Sequence, residues 1–285
     1  DDHIFFGRTA SEHHSLGCHG RCRYGDRADQ WKLGVGKPVV SMGDHSLDKH
    51  GILDRISRGR TDLVFDLLAL SDRQSILHEG DVKPLQWFVY YNDTTALKAV
   101  LTAGLDLSSI DIDQELGHAS FFGHWKVVDL LISQGADVNY AQSDTGETAL
   151  HSALCKAGRP YYLYVIKLLV ENGADVNART IPGKETGAFM RDVRTKGETP
   201  LHRAAAYGDE AMISYLIDHG ADKEARDANG DSPLTWASEH LRPGSILKLL
   251  SFPPHFVSDA GAAQITSDHG CGWGTGMDRK ILGDY

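Results

Sequence analysis

Five residues near the start of the chain have the chemistry to hold a metal ion: His13, His14, Cys18, His19 and Cys22. Imidazole and thiolate are the common zinc ligands, and Cys18 and Cys22 are spaced Cys-x3-Cys, close enough to share one ion. The second half of a four-ligand site is not visible, and the spacing matches no finger pattern. His14, Cys18, His19 and Cys22 are therefore weak metal candidates, and no cofactor is expected. His151 and His202 invite acid–base chemistry, yet neither has a Ser or Cys beside it in a nucleophile-like motif. Asp137, Asp175 and Asp222 recur in one slot, Gly-Ala-Asp, where an Asp accepts backbone N–H bonds in a turn. No paired carboxylates stand out, and no GxGxxG, Walker-type loop or HExxH occurs. Gly270 to Gly276 is rich in glycine but follows no strand pattern and lacks a phosphate-binding Lys. No catalytic residue is assigned, and the chain reads as a non-enzyme.

That recurring slot points to the elements around it. Gly-Ala-Asp-Val-Asn stands at Gly135–Asn139 and Gly173–Asn177, and Gly-Ala-Asp-Lys-Glu at Gly220–Glu224. Each copy closes an apolar helical stretch. The next stretch opens on Thr148-Ala149-Leu150-His151, Thr199-Pro200-Leu201-His202 or Ser232-Pro233-Leu234-Thr235. Thr199 is a good N-cap, and Pro200 suits a first helical turn, where its missing N–H has no partner to lose. Ala204, Ala205 and Ala206 are small enough for helices to lie close together. Gly208 breaks the chain, Ile213, Leu216 and Ile217 form the apolar stripe of a second helix, and Gly220 ends it.

A turn and two helices repeating about every 33 residues is the pattern of the ankyrin repeat, and residues 51–250 resemble that family. The resemblance implies an all-α solenoid of stacked helix-turn-helix units joined by β-hairpin-like loops. About six units are expected. The first, from Ile52 to Leu68, and the last, from Ser232 to Leu250, read as caps, since a terminal unit has one neighbour to bury against. Residues 1–50 read as a poorly patterned N-terminal flank and 251–285 as a Gly-rich C-terminal tail. In the family, the His of the Thr-Pro-Leu-His element hydrogen-bonds within and between hairpins, so the resemblance implies that role for His151 and His202.

The spacing reveals two insertions. Gly104 to Gly135 is 31 residues, Gly135 to Gly173 is 38 and Gly173 to Gly220 is 47. The first excess falls at Cys155–Tyr164, between the two helices of the fourth unit. The second falls at Thr180–Thr195, in the hairpin joining units four and five, and is rich in cations: Arg179, Lys184, Arg191, Arg194 and Lys196 against Glu185 and Asp192.

Composition narrows the function. With 41% hydrophobic and 24% charged residues the chain suits a soluble fold, and its net charge of −10 disfavours nonspecific nucleic-acid binding. No run of 18 apolar residues occurs, so no membrane span is expected. The chain opens Asp1-Asp2-His3 with no initiator Met or apolar leader, which reads as a fragment without a signal peptide. Cys18, Cys22, Cys155 and Cys271 are not a disulfide framework. A reducing cytoplasm is the expected compartment, an exported bacterial effector the other reading. Aromatics cluster near the ends of first helices, on the side that the family's concave groove would occupy. Tyr90, Tyr91, Phe122, Trp125, Arg191, Arg194, Arg203, Tyr207 and Trp236 are the expected contacts with a protein partner, the rings as anchors and the arginines as carboxylate binders. The expectation is a monomeric, non-catalytic interaction module that binds a protein partner through its concave groove and hairpin loops, with no small-molecule substrate. The alternative is a targeting arm of an enzyme- or zinc-linked protein whose active part lies in the flanks.

Overall fold

Asp48 opens the first described helix by accepting from Gly51 N–H at 2.7 Å, and a short side-chain acceptor at that position is what starts a helix. The same device recurs at Asp93, Asp111, Asp209 and Ser232. The computed structural model describes residues 48–70, 84–104, 111–186 and 194–264. They form six helix pairs. Unit one is α1 (Lys49–Ser57) and α2 (Val64–Ala69); unit two is α3 (Pro84–Tyr90) and α4 (Thr94–Thr102); unit three is α5 (Ile112–Phe122) and α6 (Trp125–Ser133). Unit four is α7 (Ala149–Ala153) and α8 (Tyr162–Glu171); unit five is α9 (Pro200–Tyr207) and α10 (Glu210–Asp218); unit six is α11 (Pro233–Glu239) and α12 (Gly244–Leu249). A further helix, α13 (Asp259–Gln264), follows.

First helices pack on first helices of neighbouring units, and second helices on second helices. The apolar stripes merge into one core running the length of the stack, through Ile56, Leu97, Leu116, Leu131, Leu150, Ile166, Leu201, Ile213 and Ile246. Each unit buries its face only against its neighbours, which is why a single unit would not persist alone. Among the described residues the hairpins contribute isolated bridges rather than strands, Ala141 to Thr148 and Glu185 to Arg194.

The Gly-Ala-Asp slot works as a ladder. Asp137, Asp175 and Asp222 each accept from the backbone N–H two residues on, at 2.8–2.9 Å. Asn139 accepts from Asp175 N–H and donates to Gly173 C=O; Asn177 accepts from Asp222 N–H and donates to Gly220 C=O. The third copy has Lys223-Glu224 in place of Val-Asn. Lys223 Nζ instead reaches the carbonyls of Leu249 and Ser251, at 3.3 and 2.7 Å, where a cation suits the end of α12. Replacing Asn177 by Ala removes two bonds to the next unit and is expected to lower stability by about 1–2 kcal/mol, read as a shift of the urea midpoint at unchanged slope.

The chain beyond Leu250, expected as a tail from 251, continues as packed structure as far as the described residues reach. Phe252 is buried, Lys248 pairs with Asp259, and Gly244 lies so close to Ala262 that a side chain there would collide. An apolar Phe and a side-chain-free Gly in register explain the addition: together they let one more helix cover the last unit.

Candidate functional site

His151 and His202 are capping residues. Each forms a reciprocal box with the Thr that opens its helix: Nδ1 lies 3.2 Å from the Thr backbone N and 2.9 Å from its hydroxyl. Nε2 reaches across to the following hairpin, to Glu198 C=O at 3.3 Å and Asp231 C=O at 3.0 Å respectively. Burial holds both imidazoles below their ordinary pKa, His151 at about 4. Both ring nitrogens of each imidazole are used in holding the stack, so neither nitrogen is available for proton transfer to a substrate.

Between units four and five lies a buried ion cluster. Arg203 is fully enclosed, with Nη2 2.6 Å from Glu198 Oε1 and 2.8 Å from Glu147 Oε1, and with Nε 3.0 Å from Glu198 Oε1. Its Nη1 donates to His151 C=O at 3.2 Å and lies 3.4 Å from Cys155 Sγ. The inserted hairpin closes the cluster: Thr186 donates to Glu147 at 2.8 Å and Thr180 to Glu198 at 2.6 Å. Burial opposes the charge on both Glu residues, but Arg203 outweighs it, holding Glu147 below its ordinary value and Glu198 at about 2. Burial pushes the Cys155 thiol up to about 12, which leaves it protonated and unreactive.

This corrects three expected contacts. Arg203 is an internal tie rather than a surface cation, because two carboxylates and the His151 carbonyl converge on it. Tyr207 is buried against His240, with ring centroids 5.3 Å apart. Trp236 is buried too, donating Nε1–H to Asp227 Oδ2 at 3.1 Å. Every residue of α7 and α9 is buried, so the first-helix faces of units four and five offer no aromatic groove. Arg194 is exposed on the inserted hairpin, donating to Gly183 C=O at 3.0 Å. Arg191 lies outside the described residues, as do His14, Cys18, His19 and Cys22. Among the described residues no group of three or more metal-ligating side chains occurs.

Of the other four expected contacts, Tyr90, Tyr91 and Phe122 come together, while Trp125 pairs with Tyr164. They lie where each first helix turns into its second, at the end of the stack opposite the hairpins. Tyr90 meets Phe122 across units two and three edge-on, with centroids 5.4 Å apart. Phe122 stacks on His124 at 5.5 Å, and His124 Nδ1 is 2.8 Å from Val89 C=O. Tyr161 and Tyr164, supplied by the first insertion, extend the row into unit four. Trp125 faces Tyr164 at 6.3 Å, and Tyr162 Oη donates to Phe121 C=O at 2.6 Å. Tyr91, Trp125, Tyr161 and Tyr164 are 38%, 43%, 40% and 63% exposed, so a strip of rings at the turns of units two to four is open to solvent. Tyr161, Tyr164 and Lys156 were not among the expected contacts, although Tyr161-Tyr162-x-Tyr164 beside Pro160 was the signal for them.

Gly123 lets the strip close. Its φ is +75°, and a Cβ there would lie 2.8 Å from ring atoms of both Tyr161 and Tyr162. Gly123→Ala is expected to cost about 2–3 kcal/mol, through backbone strain and displaced rings, and to alter the near-ultraviolet circular dichroism of the strip. An open trough of about 470 Å³ over α2, α4 and α6 has no buried titratable group and does not resemble a catalytic pocket. Among the described residues no helix is long and apolar enough to cross a membrane.

A family model described as ankyrin repeats (three copies) matches residues 85–180 and 183–256. Human Rabankyrin-5 is 36% identical over 110 residues, covering 38% of this chain and 9% of that protein. Human neurogenic locus notch homolog protein 2 is 32% identical over 153 residues, 47% of this chain and 6% of that protein. Human diacylglycerol kinase iota is 33% identical over 103 residues, 35% of this chain and 8% of that protein. The chain therefore spans less than a tenth of the length of each of these relatives.

Proposed function

The chain belongs to the ankyrin-repeat family, and from that premise we propose that it is a non-catalytic module binding a protein partner through the aromatic strip at the turn edge of units two to four. The observation that carries this reading is the exposure of Tyr91, Trp125, Tyr161 and Tyr164 at or beside the successive helix turns of units two to four. Large rings with few rotatable bonds lose little entropy on docking and recur as energetic anchors of interfaces. The strip is also supported from beneath by buried neighbours such as Phe88 and Tyr162, so its shape is preformed. Repeats of this family are protein-interaction modules, and the stacked architecture makes an extended surface rather than a closed pocket.

The test is recovery of partners from source-cell lysate by the full chain, alongside a Trp125→Ala/Tyr164→Ala variant. Both side chains are exposed, so the variant should keep its unfolding midpoint while losing about tenfold or more in affinity. Equal retention by parent and variant would remove the strip from the function. A second reading, in which the repeats serve as the targeting arm of a larger enzyme, draws support from the match to a small part of diacylglycerol kinase iota. Its test is an activity that requires sequence outside the repeats.

A further inference from the structure

The turn edge of units two to four has a charge pattern of its own. In a chain of net charge −10, the segments 84–92, 116–128 and 154–168 contain no Asp or Glu, and Asp93, which follows the first of them, is engaged in capping α4. Carboxylates return at both ends of the strip. In unit one Asp54 and Asp62 pair with Arg58 and Arg60. In unit five Asp209 and Glu210 open α10.

Within the strip the charged side chains are cations set against rings. Lys156 Nζ lies 4.1 Å from the Phe121 centroid and 5.7 Å from that of Phe122. Lys126 Nζ is 5.4 Å from the Trp125 centroid, and Arg159 Nη1 donates to Tyr161 Oη at 3.1 Å. A cation over a π face keeps its charge while its position is fixed by the ring quadrupole. Lys156 is also half-buried, and that burial, with Arg159 adding, lowers its pKa; an anion brought alongside would restore it.

We propose that the occupant of the strip is an acidic segment of a partner protein, with apolar or aromatic side chains set between its carboxylates. This rests on the strip being the binding surface argued above. The exposed rings take the apolar side chains, and Lys126, Lys156 and Arg159 take the carboxylates. The cations steer the encounter and fix register. A basic segment would meet only Asp93 in the unit-two turn, whose Oδ1 already accepts from the Thr95 and Ala96 N–H groups.

The experiment selects binders to the full chain from a display library of random short peptides, then titrates the enriched peptides by fluorescence anisotropy. The expected winners combine Asp and Glu with Phe, Trp or Leu, and bind more weakly as salt rises. Lys156→Glu/Arg159→Glu should weaken them by about tenfold or more, Lys156→Gln by less, and Arg194→Glu on the inserted hairpin should have no effect. Neutral or basic winners that are lost in Trp125→Ala/Tyr164→Ala overturn the acidic assignment and leave the surface standing. Winners indifferent to all these changes, or none at all, count against both. Binding to phosphatidylserine vesicles that the same charge reversals abolish, without peptide enrichment, replaces the peptide occupant with an anionic membrane.

Discussion

Replacing Arg203 by Met is expected to destabilise the fold by about 3–5 kcal/mol, more than any surface change in the molecule. Met fills much of the same space, so the loss is not chiefly a cavity. It comes from Glu147 and Glu198, both buried, which are left without their shared guanidinium. Thr186, Thr180 and the Lys196 N–H still donate to them, but hydrogen bonds alone do not replace a full charge in an enclosed site. The outcome is checked by urea denaturation at pH 7, with the triple variant Arg203→Met/Glu147→Gln/Glu198→Gln as partner. Neutralising the carboxylates should recover most of the loss, because the penalty is that of unpaired buried charge. If the triple variant is as unstable as the single one, packing by Arg203 is the dominant contribution instead. Without Arg203 the two carboxyls should titrate above their ordinary values, so the gap between variant and parent should narrow as pH falls.

The second large effect is acid lability. Burial, helped by the Arg203 charge, holds His151 at about 4, against about 6.5 for an ordinary imidazole. The folded state therefore requires the neutral ring while the unfolded chain binds a proton below pH 6.5. Stability from this group is full above about 6.5 and falls as pH drops towards 4, by about 3 kcal/mol. His202 and His124 are also held low by burial and act in the same direction. Below the ordinary carboxylate range Glu198 continues the trend: its stabilisation is present above about 4.5 and lost as pH falls through about 2. Unfolding free energies at pH 7, 6, 5 and 4 give the slope. His151→Gln should flatten it between 6.5 and 4 while lowering stability at pH 7 through the lost cap. An unchanged slope in that variant would mean that other groups carry the dependence.

The repeats were legible because they are local. Thr199-Pro200-Leu201-His202 carries its own cap, first turn and box partner within four residues, and Gly220-Ala221-Asp222 carries its own turn. The same locality made the roles of His151 and Asp175 readable. Arg203 was misplaced for the opposite reason. Its partner Glu147 comes from one hairpin, Thr180 and Thr186, which hold the carboxylates, come from another, and nothing in the helix Pro200–Tyr207 marks that position as enclosed. Tyr207 and Trp236 were misplaced in the same way, by His240 and Asp227 arriving from elsewhere in the chain.

By itself, then, the sequence determined the unit, its helices, its caps and the order of stacking, since these depend on backbone propensities and contacts within a few residues. It also showed an insertion in unit four, expected at Cys155–Tyr164 between the helices, of which the structure takes Tyr162 to Tyr164 into α8. Only the tertiary structure decided which aromatic and charged side chains meet solvent. Exposure depends on what the neighbouring unit and the inserted hairpin place over each position. That is why Trp125 and Tyr164 line an open strip while Arg203, equally polar on paper, lies sealed between two glutamates.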